Sequence, residues 1–164
     1  MTIAGLNALD CARFVEMIGW VFEGSPWVAE RAWSAKPFRD VDVLHACMVT
    51  EVEKARREEQ LDLLRAHPDL GTRARLSPAS AGEQASAGLD HLAPEEFERL
   101  QRLNSAYLAR FGFPFLFAVR NATKFDVLDA LERRLHSSPE EEYREALRQV
   151  YRIAAFRLRD LIKS

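Results

Sequence analysis

The chain has 164 residues, 48% of them apolar, and its 23 Lys and Arg nearly balance 25 Asp and Glu for a net charge of −2. That length suits a single domain spanning residues 1–164, with enough apolar material for a core that needs no disulfides. Charges of both signs are mixed along the sequence, so the basic footprint of a nucleic-acid binder is missing.

Helix signals dominate from the start. Asn7 is placed to cap a first short helix carrying Leu9, Phe14, Met17 and Ile18. Ser25-Pro26-Trp27 reads as a cap and first helical position for a helix near 26–35, which Pro37-Phe38 breaks. Asp40 caps a long segment, 41–66, with Val41, Leu44, Met48, Val52, Leu61 and Leu64 on its apolar side and a bend expected near Arg57. The run Glu51–Gln60 reads as a solvated helix face. Pro68 disfavours helical geometry at His67, so the helix should end there.

Ser77-Pro78 begins the next helical turn, and Ser80-x-x-Glu83 has capping-box spacing. Gly88 and Leu89 close it. Ala93-Pro94-Glu95-Glu96 opens a helix to about Arg110, terminated by Gly112. Residues 113–119 read as extended and buried; a strand is an alternative, but the sequence offers no second strand to pair with it. Thr123-x-x-Asp126 opens a helix to about Leu135, and Ser138-Pro139-Glu140-Glu141 opens the last, to about Ile162. The expectation is an all-α bundle of about seven or eight helices with one extended buried segment near 113–119.

Cys11 and Cys47 lie far apart, without a second Cys or a His at metal spacing, which predicts reduced thiols. The N-terminus lacks the basic start and apolar run of a signal peptide. The longest uncharged apolar stretch, 111–119, falls far short of the roughly 20 residues that span a bilayer. The chain ends Leu-Ile-Lys-Ser, not in a peroxisomal address. A cytoplasmic protein without nucleic-acid or membrane partners is expected.

Four features can carry chemistry, and each has a plainer reading. His67 is either a helix C-cap, favoured there by the dipole, or a group that titrates near neutrality and moves protons. Glu83 is either the reciprocal member of a capping box with Ser80 or a carboxylate presented at a helix start. Such a start also suits an anion. Gln84 offers both a donor and an acceptor. Phe111-Gly-Phe-Pro-Phe-Leu-Phe-Ala-Val119 is core by default. Yet an extended segment with no strand partner leaves backbone groups needing hydrogen bonds, which a flat, amide-rich ligand can supply. Arg157 falls on the edge of the apolar stripe Tyr143, Leu147, Val150, Ala154 and Leu161, about 40° from Leu161 by helix geometry. It either snorkels to water or turns inward to grip a carboxylate. His45 and Asn104 face apolar surfaces and read as hydrogen-bonded structural residues, and His91 and His136 as surface residues.

His67-Pro68-Asp69-Leu70-Gly71, Ser80-x-x-Glu83-Gln84-x-x-Ala87-Gly88-Leu89 and the 111–119 block, in this order, resemble the 2-oxo-4-hydroxy-4-carboxy-5-ureidoimidazoline (OHCU) decarboxylases. The resemblance runs from about Leu6 to Leu161. It departs at Thr72, where a second small residue is usual, and over 72–79, which is a few residues shorter than in animal members.

The resemblance implies the last step from urate to S-allantoin, carried out without a cofactor or metal on a small ureidoimidazoline substrate. It implies that His67 is the catalytic proton donor, with Glu83 beside it in catalysis. It further implies substrate contacts from Pro68, Ser80, Glu83, Gln84, the backbone of Phe115, Leu116, Phe117, Ala118 and Val119, and Arg157, whose Arg-Leu pair with Leu158 fits the family pattern. A homodimer is left open. Two other readings stay open at this level. One is a non-catalytic α-helical binding or scaffold domain. The other is a metal-dependent hydrolase, which a single His-x-Asp, His67-Pro68-Asp69, disfavours.

Overall fold

Prolines, glycines and short polar caps cut the chain into helices. The computed structural model describes residues 1–71 and 76–163. Among these, nine α-helices and no strand occur: α1 Ile3–Asn7, α2 Cys11–Ile18, α3 Trp27–Ala32, α4 Val41–Lys54, α5 Arg57–Arg65, α6 Pro78–Ser86, α7 Pro94–Phe111, α8 Lys124–Arg134 and α9 Pro139–Leu161. The all-α expectation is borne out. The count exceeds the seven or eight expected because the first helix is two, and because 41–66 is broken rather than bent. Ala55 and Arg56 are extended, at ψ 159° and 152°.

The caps show why the N-terminal region divides. Thr2 caps α1 and Asp10 caps α2, accepting from Arg13 N at 2.9 Å. Asn7 is not the cap expected. It lies in the last turn of α1, and its side-chain amide both donates to Phe38 O and accepts from Phe38 N, each at 2.8 Å. An amide can satisfy a whole peptide unit, which a cap does not need. Asp40, Thr123 and Ser138 cap as read from sequence. Gly112 ends α7 in the left-handed conformation at φ 79°, the geometry a glycine reaches without strain.

By its internal contacts the chain forms two units, Met1–Ala66 with Val150–Ser164, and His67–Gln149. In the first, α3 packs against α2 and α4 over fully buried Phe14, Ile18, Phe22, Leu44 and Met48. Full burial of such a side chain contributes about 1.5–3 kcal/mol. In the second, α7 packs against α8, and Tyr107 joins Phe113 and Phe115 in edge-on ring contacts. Helix α9 passes from the second unit into the first. Arg144, Arg148, Arg152 and Arg159 are exposed along it, while Ala146, Val150, Ala154 and Leu158 are buried.

Candidate active site

In the second unit, the segment after α5 forms a locked turn. Helix α5 ends at Arg65, and Pro68 keeps His67 out of it. His67 is buried, at 7% exposure. Two side chains hold the turn that follows: Asn104 of α7 donates to Leu70 O at 2.9 Å, and Gln84 of α6 accepts from Gly71 N at 2.9 Å. Gly71 has φ +73°, where other residues are strained, and a Cβ there would lie 2.2 Å from Leu100 Cδ2 and force that side chain to move, so glycine is favoured. Beside the turn lies a cavity of about 580 Å3 lined by Asp69, Leu70, Gly71, Phe97, Leu100 and Asn104, among others. Burial pushes the Asp69 carboxyl above the usual aspartate range.

Helix α6 starts at Ser77-Pro78 as read from sequence, but the Ser80-x-x-Glu83 box is not formed. Ser77 is the cap, accepting from Ser80 N at 3.1 Å, with Pro78 in the first turn. Ser80 therefore lies inside the helix, and Ser80-x-x-Glu83 is not a capping box. A helix has one N-cap, and a proline at the first position, whose missing N–H costs nothing there, draws it to the residue before. The anion-suited helix start moves with it to Ser77. Spacings of three and four residues still put Ser80, Glu83 and Gln84 on one face. Ser80 and Gln84 are each 5% exposed, and Glu83 is half-buried. The Gln84 bond to Gly71 joins this face to the His67 turn. The path of 72–79 falls partly on residues 72–75, which lie outside the described residues.

The 113–119 segment is buried apart from half-buried Phe117, and is free of helix, turn and bend from Pro114 to Val119. It forms no strand. Two of its backbone groups are held by side chains that the sequence reading missed. Arg134 of α8 donates to Leu116 O at 2.6 Å, and Gln149 of α9 accepts from Ala118 N at 2.9 Å. Arg134 is 6% exposed and also donates to Glu142 Oε1 at 2.6 Å; that carboxylate accepts from Tyr107 Oη at 2.5 Å. Burial, with the Glu142 hydrogen bond next, pushes the Tyr107 phenol far above its ordinary range. One signal was available: Glu142, Ala146 and Gln149 stand at i, i+4 and i+7, a second inward row beside the one containing Tyr143.

In the first unit, Arg157 is 4% exposed, which rules out snorkelling. Its Nη1 donates to Glu23 Oε2 at 2.8 Å and to Trp20 O at 3.3 Å. Glu23, itself 8% exposed, was also missed. Its signal was a lone carboxylate between the apolar run Trp20-Val21-Phe22 and the Ser25-Pro26 helix start, in a chain that already demanded a partner for an inward arginine.

The OHCU decarboxylase family profile matches residues 7–159. The chain belongs to the OHCU decarboxylase family. It is 48% identical to the 2-oxo-4-hydroxy-4-carboxy-5-ureidoimidazoline decarboxylase of Haloferax volcanii, covering 100% of this chain and 98% of that one. It is 45% identical to the uric acid degradation bifunctional protein PucL of Bacillus subtilis, covering 98% of this chain and 33% of that protein. Among solved structures, an (S)-allantoin synthase superposes with a TM-score of 0.81 at 35% identity over 100% of this chain, which spans 54% of that one. An OHCU decarboxylase structure obtained in the presence of (S)-allantoin shares the fold, with a TM-score of 0.74 at 21% identity, covering 88% of this chain and 96% of that one.

The family match takes in both units, and with them His67, the α6 face, the 113–119 segment and Arg157. The remaining polar residues behave structurally. His45 Nε2 hydrogen-bonds Tyr151 O at 2.8 Å, and His91 and His136 are exposed. Among the described residues, no three His, Cys, Asp or Glu side chains converge as a metal site requires, and no helix is long and apolar enough to cross a membrane.

Proposed function

We propose that this chain is a carboxy-lyase that converts 2-oxo-4-hydroxy-4-carboxy-5-ureidoimidazoline to S-allantoin in urate degradation, without a cofactor. Family membership supports the reaction. The observation that carries the site is the locked turn, on which His67 is buried and joined to the α6 face through Gln84 and Gly71.

The chemistry needs little more than positioned polar groups. The carbon losing its carboxylate also bears a hydroxyl and neighbours a C=N carbon. When the bond to the carboxylate breaks, its electron pair forms a C=C bond and the C=N pair moves to nitrogen. CO2 leaves, the ring nitrogen that received the pair takes a proton from water, the hydroxyl gives up its proton as a carbonyl forms, and a proton is returned to one face of the neighbouring carbon. Glu83 takes the hydroxyl proton. His67 supplies the proton to carbon. Arg157 holds the carboxylate, Ser80 and Gln84 hold the ureide groups, Pro68 lines their approach, and the backbone from Phe115 to Val119 binds the flat amide edge. Positioning and general acid catalysis are each large enough to matter, the latter about 10²–10⁴-fold. We read the chain as one functional domain because the family match runs through both units. Free thiols at Cys11 and Cys47 suit a reducing cytoplasm, and a homodimer is the assembly to test by sedimentation.

The decisive assay generates the unstable substrate in place with urate oxidase and hydroxyisourate hydrolase, and follows S-allantoin by circular dichroism. The wild-type chain should accelerate its appearance, and His67→Asn should lower turnover by about 10²-fold or more while remaining folded. A folded wild-type chain without acceleration would overturn the reading and leave a helical binding or scaffold domain.

A further inference from the structure

The 113–119 segment lies buried in the second unit, yet its backbone groups are not treated alike. Leu116 O is held by Arg134, and Ala118 N by Gln149. Among the described residues, no hydrogen bond reaches the backbone of Phe115 or Phe117. Phe115 is 1% exposed, so its amide groups have lost water without gaining a protein partner.

The side chains show that the segment is extended. The rings of Phe115 and Phe117 stack at 6.0 Å with 15° between planes, and Tyr107 meets both Phe113 and Phe115. Alternate residues thus share a face at about the spacing of two extended residues. In such a chain the N–H and C=O of one residue point to the same edge, and those of the next residue to the opposite edge. Leu116 and Ala118 therefore present one edge, toward α8 and α9, and Phe115 and Phe117 present the other.

The groups on the held edge are themselves held. The Arg134 guanidinium is fixed by Glu142, which also binds Tyr107, and lies 4.5 Å over the Phe115 ring. Gln149 Nε2 donates to Glu145 Oε2 at 3.0 Å, which orients the amide so that its oxygen faces Ala118 N. Helices α7, α8 and α9 all contribute to a clamp on alternate residues of one segment. A simple core contact would not need two polar side chains aimed at main-chain atoms.

We infer that Arg134 and Gln149 are positioning residues that set the register of the 113–119 segment, so that the backbone edge of Phe115 and Phe117, and not that of Leu116 and Ala118, binds the amide face of the substrate. This rests on the reading of the chain as an OHCU decarboxylase and narrows which peptide groups serve it. A one-residue slip would present the wrong edge, and Gln149 with Arg134 prevents it by binding groups two residues apart.

The test uses residue-resolved amide hydrogen exchange and steady-state kinetics on the full chain, with (S)-allantoin as the probe ligand. In the free wild-type protein, Ala118 N–H should exchange slowly, and saturating (S)-allantoin should slow Phe117 N–H. Gln149→Met keeps the length of the side chain but removes the acceptor. It should speed exchange at Ala118 and raise KM roughly five- to tenfold, with kcat changed far less. A purely structural role would lower the melting temperature and leave KM of the folded enzyme unchanged, and that result overturns the inference. So does an active wild-type enzyme in which (S)-allantoin slows Ala118 rather than Phe117. Lack of wild-type activity overturns the functional reading itself, and this inference with it, so the two failures are told apart by the wild-type assay.

Discussion

Glu83 loses its plainest explanation once Ser77 is seen to cap α6. A half-buried carboxylate one turn into a helix, on the same face as two buried polar residues, is not there to hold the helix start. Glu83→Gln should therefore melt within a few degrees of wild type while turnover falls by about 10²-fold or more, the loss expected when a general base is removed. Melting curves and rates on one preparation decide this; normal turnover would return Glu83 to a packing role. Arg157 makes the opposite point, since helix phase put it on the edge of the apolar stripe with two outcomes open, and the structure buries it against Glu23. Arg157→Lys keeps a charge opposite Glu23 but loses the planar fork of donors. One charge-assisted hydrogen bond is worth about 1.5–3 kcal/mol, so kcat/KM should fall roughly tenfold to a hundredfold. Wild-type kinetics in that variant would remove Arg157 from substrate binding.

At the scale of an element, the His67–Gly71 turn joins motif to mechanism. Its start was legible from sequence because Pro68 disfavours helical geometry at His67, whereas the left-handed Gly71 emerged only in the structure. Its anchoring was not legible, because Asn104 and Gln84 come from helices that only the fold brings to it. The turn also carries a testable cost. Asp69 sits half-buried beside the cavity with its carboxyl pKa raised by burial. A raised folded pKa means that the charged form is penalised in the native state. The penalty is fully present above the folded pKa, shrinks as pH falls through it, and is gone below the unfolded value near about 3.9. Asp69→Asn should thus raise the melting temperature at neutral pH, and the gain should vanish as the pH approaches that value. A gain independent of pH would show that the carboxyl charge is not its source.

The 113–119 segment shows the same division. Its burial and lack of a strand partner followed from composition and from the absence of any second β-rich stretch. Which peptide groups were already satisfied depended on Arg134 and Gln149, from two other helices. The split of the expected helix 41–66 at Ala55 and Arg56 was also beyond the sequence pattern. Neither glycine nor proline marks the break, and the apolar period on either side continues with a shift that a bend would explain equally well.

For the whole molecule, the proposed chemistry makes a further prediction. The substrate supplies its own electron sink, so the side chains need only bind, orient and move protons. Dialysis against a strong chelator should leave S-allantoin formation unchanged, measured by circular dichroism against an untreated sample. Loss of activity that zinc or manganese restores would demand a different mechanism.

What the sequence determined by itself was local: the all-α class, most helix starts, the helix end at His67 and the place of Arg157 at the edge of an apolar stripe. Those follow from caps, prolines and periodicity, which act within a few residues of their cause. The tertiary structure alone decided pairing. Arg157 found Glu23, Arg134 found Glu142 and Leu116 O, Gln84 found Gly71, and Ser77 displaced Ser80 as a cap. A buried polar group must be satisfied, and the sequence shows that need, but the partner is set by which helices pack beside it.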